Sequence, residues 1–358
     1  MTLKIDLNDV LSKFVIDSKI ENYGNGHIND TYMTETRSYI LQRINTKIFK
    51  NPYELMENID KVTSFLRKKI EEEGGNPDRE TLTVIKTRDG NNFYQANEND
   101  VYRVYKFITE TVAIEQCTKP MDLYYAGKGF GKFQRMLADF PVEELHETIV
   151  NFHNTPKRVE DLKQAIKEDK MGRAESVKTE IEFALEKAQF ASVIVEEMKK
   201  GTIPLRVTHN DTKINNVLFD EVTGEAVCVI DLDTVMPGSA LYDFGDALRI
   251  GASSAAEDET NLDIVHFDKE YFTCFTKGFF EDMKASLTQK EIELLPFSAK
   301  LLTYECGIRF LTDYLNGDTY FKIHREHHNI DRARNQFKLV YEIEQMEDEL
   351  KAIVDELI

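Results

Sequence analysis

Cysteine is scarce in this 358-residue chain: only Cys117, Cys228, Cys274 and Cys306 are present. They lie far apart, without a C-x-x-C pair, which excludes a disulfide scaffold or a zinc ribbon and fits a reduced compartment. Long apolar runs are also missing. Nothing approaches the roughly 18 residues of a membrane span. The opening MTLKIDLNDVLSKF carries acids and no apolar core of leader length. A cytoplasmic location is therefore expected. Basic residues are in deficit, with 45 Lys and Arg against 64 Asp and Glu, a formal net charge of -19. That argues against nucleic acid or anionic membrane as partner, because both reward basic surface. A phosphate-handling enzyme needs only a local positive cleft and remains compatible with this charge. No internal repeat or low-complexity run occurs.

What is present reads as an ordinary globular chain, 41% hydrophobic and 30% charged. The first hundred residues alternate strand-like and turn-like pieces. Ile20 to Tyr23, Thr31 to Thr36 and Ser38 to Ile44 are rich in β-formers, with Gly24-Asn25-Gly26 as a turn between the first two. Leu55, Ile59, Val62, Leu66 and Ile70 recur at helical spacing, which predicts a helix from Pro52 to Glu73 stopped by Gly74-Gly75. Leu82 to Lys86 and Val101 to Ile108 read as strands around the turn Asp89-Gly90. Beyond residue 110 the patterns become helical, for example Val142 to His153, Ala174 to Lys200 and Ala333 to Leu357. One β-rich island interrupts them at Val207 to Met236. An α+β, two-lobed chain is expected: a β-rich nucleotide lobe over 1–108 and a larger, mostly helical catalytic and substrate lobe over 109–358.

The island reads VTHNDTKINNVLFDEVTGEAVCVIDLDTVMPG. His209-x-Asp211 is followed by Asn216 five residues after the aspartate. A hairpin around Thr223-Gly224 then returns the chain to Asp231. Phosphoryl transfer needs a carboxylate beside the attacking hydroxyl and oxygen ligands for Mg²⁺ between the phosphates. The Asp-to-Asn spacing is that of a kinase catalytic loop. Asp211 is assigned as base, Asn216 and Asp231 as Mg²⁺ ligands, and His209 as a brace whose ring bonds loop or hairpin backbone. Each residue alone has a bland reading as a turn or cap; the combination is what points to an ATP-dependent kinase. Asp243-Phe244-Gly245 spells a kinase metal motif but lies past the hairpin return. It reads as the start of the next helix, with Asp243 as cap or loop brace.

Nucleotide contacts are expected in the front lobe. Gly24 and Gly26 offer backbone N–H groups to phosphates, or form a plain hairpin turn. The strand YILQRIN has no lysine, so Arg43 is the first choice for the cation at the phosphates and Gln42, on the opposite strand face, the alternative. Glu57 is either the acidic partner of that cation or a solvated helix residue. Phe107, near the hinge, would offer backbone groups to adenine. His324, His327 and His328 suggest a metal cluster, or an exposed polar helix end or loop. Ala333 to Ile358 reads as an amphipathic closing helix.

Over nearly its whole length the chain resembles the aminoglycoside phosphotransferase and choline kinase superfamily, and more closely the N-acetylhexosamine 1-kinases. The strings that carry this are YGNGHINDTY, YILQRIN, LMENI, YRVYKFI, RVTHNDTKINN, VIDLDTVMPGS, DFGDALRIGAS and ECGIRF. The resemblance implies a bilobal protein-kinase-like fold. It implies transfer of the ATP γ-phosphate, with Mg²⁺, to the anomeric hydroxyl of GlcNAc or GalNAc. By position it matches Asp211 to the catalytic aspartate that meets the sugar, and Asn216 and Asp231 to the metal ligands. It also puts His27 in the nucleotide loop and Arg309, with Tyr320, at the sugar. A competing reading of Arg309 is an ion pair with Glu305 or Asp313 at helical spacing. Other acceptors, such as an aminoglycoside, an amino alcohol or another sugar, stay open, as does a catalytically silent nucleotide-binding protein.

Overall fold

The computed structural model describes residues 5–24 and 28–358. Gly26 and His27 lie outside the described residues. The chain forms two compact units that it enters more than once. One comprises residues 1–112, 139–150 and 218–237, the other 113–138, 151–217 and 238–358. Among the described residues no helix is long and apolar enough to cross a membrane.

The first unit is built on an antiparallel sheet in the order Ile20–Asn22, Asp30–Thr34, Tyr39–Ile44, Asp100–Lys106, Val84–Ile85, with Tyr94–Asn97 also pairing the strand Asp100–Lys106. The short Tyr94–Asn97 strand is not evident in the sequence pattern. Register decides where the polar groups go. Gln42 lies opposite Thr31 on one side and Arg103 on the other; Arg43 lies opposite Asp30 and Tyr102. Successive side chains leave opposite faces, so Gln42 and Arg103 share one face and Arg43 takes the other. Leu41, Tyr102 and Val104 pack under Val10 and Leu11 of the helix Leu7–Lys13 and under Phe14, which caps it.

The helix Pro52–Glu72 forms as its periodicity predicts. Proline occupies its first turn and the Asn51 side chain accepts from Glu54 N–H. Leu55, Ile59, Val62, Leu66 and Ile70 are all buried. The chain leaves the helix through Gly74 at φ +77°, a conformation that favours glycine.

Three long helical expectations are corrected. Val142 to His153 contains only the 3₁₀ turn Val142–Glu144. Asn58 explains part of this: its side chain accepts from His146 N–H and donates to His146 C=O, taking both groups a helix would need. Ala174 to Lys200 breaks into Ala174–Val177, Lys178–Lys187, Ala188–Phe190 and Val193–Lys200. The break falls where Phe190 turns onto Phe297 and Tyr304. The closing segment is two helices, His328–Gln345 and Glu347–Leu357, separated at Met346.

The second unit is helical. Its long helix Gln289–Asn316 starts with a capping box between Thr288 and Glu291. Tyr304, Ile308, Leu311 and Leu315 from it meet Ile330, Phe337 and Val340 in the core. The helices Pro120–Met136 and Lys269–Met283 touch backbone to backbone through glycines. A Cβ on Gly278 would stand 1.9 Å from the Tyr124 carbonyl oxygen, and one on Gly127 2.3 Å from that of Phe275.

Candidate active site

In the second unit, the loop His209–Asn216 follows the strand Arg206–Thr208 and is held from below by the helix Ala240–Gly251. Asp243, in that helix's first turn, accepts from His209 N–H at 2.9 Å and Asn210 N–H at 2.7 Å. Asp246, nearly one turn on, accepts from Thr212 N–H at 2.9 Å, while the Thr212 hydroxyl donates to the Asp243 carbonyl at 2.6 Å. Asp243 is fully buried, which pushes its carboxyl up, against the pull of these donors. The literal Asp-Phe-Gly is therefore a loop brace. Its Phe244 packs among Phe272, Phe275 and Phe279. Its Gly245 lets the long helix approach, since a Cβ there would meet Ser298 carbonyl oxygen at 2.4 Å.

His209 is buried edge-on to Phe130 and Phe133, and its Nδ1 accepts from Asp211 N–H at 3.3 Å. The Asn216 amide donates to the Asp211 carbonyl at 2.8 Å, so the five-residue spacing closes a compact loop. Lys213, which the sequence reading passed over, places its Nζ 2.9 Å from Asp211 Oδ1. A lysine two residues after the carboxylate was the available signal. Burial works against ionisation of Asp211. The Lys213 ammonium, aided by Arg249, nevertheless holds its carboxyl below the usual range. Lys213 is pushed up in turn, chiefly by Asp211.

In the first unit, Asp231 follows the hairpin strand Ala226–Val229 and adopts a left-handed conformation, φ 59° and ψ 56°. Strain of this kind in a non-glycine residue is common at functional positions. Two residues on, Asp233 is pinned by Arg103 at 2.5 Å and by Asn29 Nδ2 at 2.7 Å. The side chains of Arg103 and Asp233 are 1% and 4% exposed. Arg103 also donates through Nε and Nη2 to Gln42 Oε1, at 3.0 and 2.8 Å, and lies over the Tyr105 ring. This buried cation was missed because it sits on a neighbouring strand; only the sheet register brings it across from Gln42.

Arg43 sits between Asp100 and Asp30 at 2.7 and 3.1 Å. Glu57 pairs with Lys61 and His146, not with Arg43 or Gln42. Gly24 is left-handed at φ +71°, and among the described residues nothing stands within 4 Å of where a Cβ would lie. Phe107 donates its N–H to Ser38 C=O, and its ring meets Tyr23 edge-on.

Arg309, on the long helix of the second unit, lies over Phe152, Tyr320 and Phe321 at 5.4, 5.9 and 5.5 Å. The carboxylates suggested for it are engaged elsewhere. Glu305 binds His153 and Thr155; Asp313 accepts from the N–H groups of Thr319, Tyr320 and Phe321. Asp313 thereby fixes the turn that presents Tyr320. His328 bonds Asp258.

Asn216, in the second unit, carries an amide oxygen, and Asp231, in the first, a carboxylate; taken singly, each is an oxygen ligand of the kind a hard divalent cation accepts. The Asn216 Nδ2 is spent on the Asp211 carbonyl, which leaves its Oδ1 for a ligand.

A family model described as APH, phosphotransferase enzyme family, matches residues 19–273. The chain is similar to a solved aminoglycoside phosphotransferase from Alicyclobacillus acidocaldarius, at 12% identity and TM-score 0.65, over 99% of this chain and 98% of that one. It is similar to a microcompartment-associated aminopropanol kinase, at 14% identity and TM-score 0.59, over 96% and 98%. It is also similar to an ADP-bound aminoglycoside phosphotransferase, APH(2'')-Ib, at 13% identity and TM-score 0.54, over 94% and 98%. At these identities the likeness is one of fold: kinase-like, α+β, with a small antiparallel-sheet lobe and a larger helical lobe.

Proposed function

Because the chain belongs to the phosphotransferase enzyme (APH) family, we propose that it transfers the γ-phosphate of ATP to the C1 hydroxyl of an N-acetylhexosamine, GlcNAc or GalNAc. The observation that carries the kinase chemistry is the closed loop in which Asp211 is paired with Lys213 and tied to Asn216. Asp211 stays ionised, orients the acceptor hydroxyl and takes its proton as the oxygen attacks the γ-phosphorus and ADP leaves. Lys213 is a fixed positive charge beside the transferring phosphoryl group. Asn216 and Asp231 would hold Mg²⁺, which supplies charge neutralisation on the phosphates. Nucleotide contacts are assigned to the Gly24, Gly26 and His27 loop, to Gln42 and Arg43, to the Phe107 backbone, and to Glu57 as supporting acid.

The acceptor end is assigned to Arg309 and Tyr320. Arg309 rests on three aromatic rings and shares a hydrogen bond with Tyr320, so the two together present a guanidinium and a phenol suited to sugar oxygens. A second guanidinium acts on the same region: Arg158 is held below its usual range by burial and by Arg309. Two cations disfavour a polycationic acceptor such as an aminoglycoside and favour a neutral, oxygen-rich one.

An acceptor panel with Mg-ATP tests this: GlcNAc, GalNAc, kanamycin and ethanolamine, with ADP release measured and the product examined by phosphorus NMR. Sugar 1-phosphate is expected from one or both N-acetylhexosamines. Turnover of kanamycin or ethanolamine alone would replace the acceptor and keep the kinase. Absence of turnover with any acceptor, together with retained ATP binding, would favour a silent nucleotide-binding protein.

A further inference from the structure

Beneath the catalytic loop lies a buried polar pair that the proposed reaction does not use. His153 and Glu305, with side chains 6% and 1% exposed, meet through Nδ1 and Oε1 at 2.8 Å. The other ring nitrogen, Nε2, stands 3.1 Å from the carbonyl oxygen of Asn210. A neutral imidazole has one N–H. Here both nitrogens face oxygens, and the backbone carbonyl can only accept. With one proton, either ring lone pair would point at an acceptor. The alternative, a protonated Glu305 donating to the ring, is opposed by its surroundings. Glu305 Oε2 already accepts the Thr155 hydroxyl at 2.6 Å, and Arg309 adds a positive field.

The carbonyl that His153 grips belongs to the peptide joining Asn210 to Asp211. The N–H of that same peptide donates to His209 Nδ1. Two histidines therefore hold the two ends of one peptide plane. One acts as donor, the other as acceptor. The plane needs holding because Asn210 is left-handed, φ 65°.

We infer that His153 is a buried imidazolium, sustained by Glu305, and that it is a positioning residue for Asp211, acting through the Asn210 carbonyl. This rests on the reading of Asp211 as base. Several groups face His153 besides Glu305. Asp246 and Tyr242 approach from the helix Ala240–Gly251, with the Tyr242 ring at 5.1 Å. Arg309 acts on the pair through Glu305, and the preceding residue, Phe152, packs against Arg309. Burial alone favours the neutral ring, but the Glu305 carboxylate outweighs it and holds His153 above its ordinary value. The sign follows. The clamp is intact at low and neutral pH and is lost as pH rises through the raised value.

The test has two readouts on the full-length protein. Nitrogen-15 NMR of the histidine side chains, with His153 assigned by His153→Gln, should show both ring nitrogens protonated at neutral pH; a neutral ring overturns the ionisation. Kinetics supply the second readout. Glu305→Gln should lower kcat roughly 10- to 100-fold, as expected for a misplaced catalytic group. It should leave nucleotide affinity within about twofold and move the alkaline limb of the kcat profile to lower pH, because the anion that sustains the charge is gone. An unmoved limb overturns the positioning role. If Glu305→Gln does not fold, Thr155→Val removes the hydroxyl that shares the carboxylate's charge and should move the limb the other way, to higher pH, because more of that charge is left facing His153. Asp211→Asn with near-normal turnover would overturn the functional half by removing the base, whatever the NMR shows, so the two failures are distinguishable.

Discussion

Arg103→Met should be among the most damaging single substitutions in the first unit. Arg103 is 1% exposed and its partner Asp233 is 4% exposed, with 2.5 Å between them. Methionine keeps most of the apolar stem that lies near Tyr105 and Met56, so packing changes little. What changes is charge. Among the described residues Asp233 then keeps only the Asn29 amide, at 2.7 Å, and becomes a buried carboxylate without its cation. Gln42 loses two donors but keeps its own bond to Thr31. Breaking a buried ion pair from one side costs about 3–5 kcal/mol, most of it the stranded charge. That is a large fraction of the roughly 5–15 kcal/mol that stabilises a folded domain. Urea unfolding followed by circular dichroism gives the number. The double variant Arg103→Met with Asp233→Leu removes both charges and should recover at least half of the loss, because a well-packed apolar pair replaces an ion pair at little penalty. A single-variant loss below about 1 kcal/mol would refute the reasoning, as would a double variant no more stable than the single.

Asp211→Asn should reduce turnover by roughly 10²–10⁴-fold, the usual contribution of a positioned acid or base. Nucleotide affinity, measured by calorimetry, should change little. Lys213→Met removes the cation that holds the Asp211 carboxyl low, so the acid limb of the pH–rate profile should move to higher pH; an unmoved limb would separate Lys213 from Asp211 ionisation. Gly278→Ala puts a methyl 1.9 Å from the Tyr124 carbonyl oxygen. The two helices must part, at about 1–3 kcal/mol of overpacking, read as a lower urea midpoint with activity per folded molecule retained.

Local periodicity and turn chemistry carried much of this fold. The helix Pro52–Glu72 and the hairpin Val217–Asp220 with Ala226–Val229 follow from apolar spacing, a proline start and glycine turns, all written in contiguous residues. Val142 to His153 misled for the opposite reason. Its apolar spacing is helical, yet the backbone groups of His146 are taken by Asn58, 88 residues away. The same division separates the site residues. Within the loop from His209 to Asn216, the bonds that join Asp211 to His209, Lys213 and Asn216 are local and therefore legible, whereas its bracing by Asp243 and Asp246 is not; Lys213 was on view there and needed only its spacing from Asp211. Arg103 was not legible, because nothing local distinguishes it from Arg43. Both are strand arginines, and only the pairing Gln42↔Arg103 sends one to a buried carboxylate and the other to Asp30 and Asp100.

The contrast bears on where specificity resides. The groups proposed for the transfer step itself are close in sequence, since Asp211, Lys213 and Asn216 fall within one loop. The groups assigned to the acceptor come from the start of one helix, the middle of another and the turn after it: Arg158, Arg309 and Tyr320. Arg158 and Tyr320 are held by near neighbours in the chain, the Phe152 carbonyl and the Asp313 carboxylate, whereas Arg309 rests on the Phe152 ring, far away in sequence. A mutation in that second group alters a shape assembled from three segments while leaving the Asp211 loop intact. Change of acceptor without change of chemistry is therefore the cheaper evolutionary step for this architecture. On this argument Asp313→Asn, which weakens the grip on the Tyr320 turn, should raise KM for the sugar severalfold more than it lowers kcat. An equal fall in kcat at unchanged KM would mean that the turn serves the transfer step and not acceptor binding.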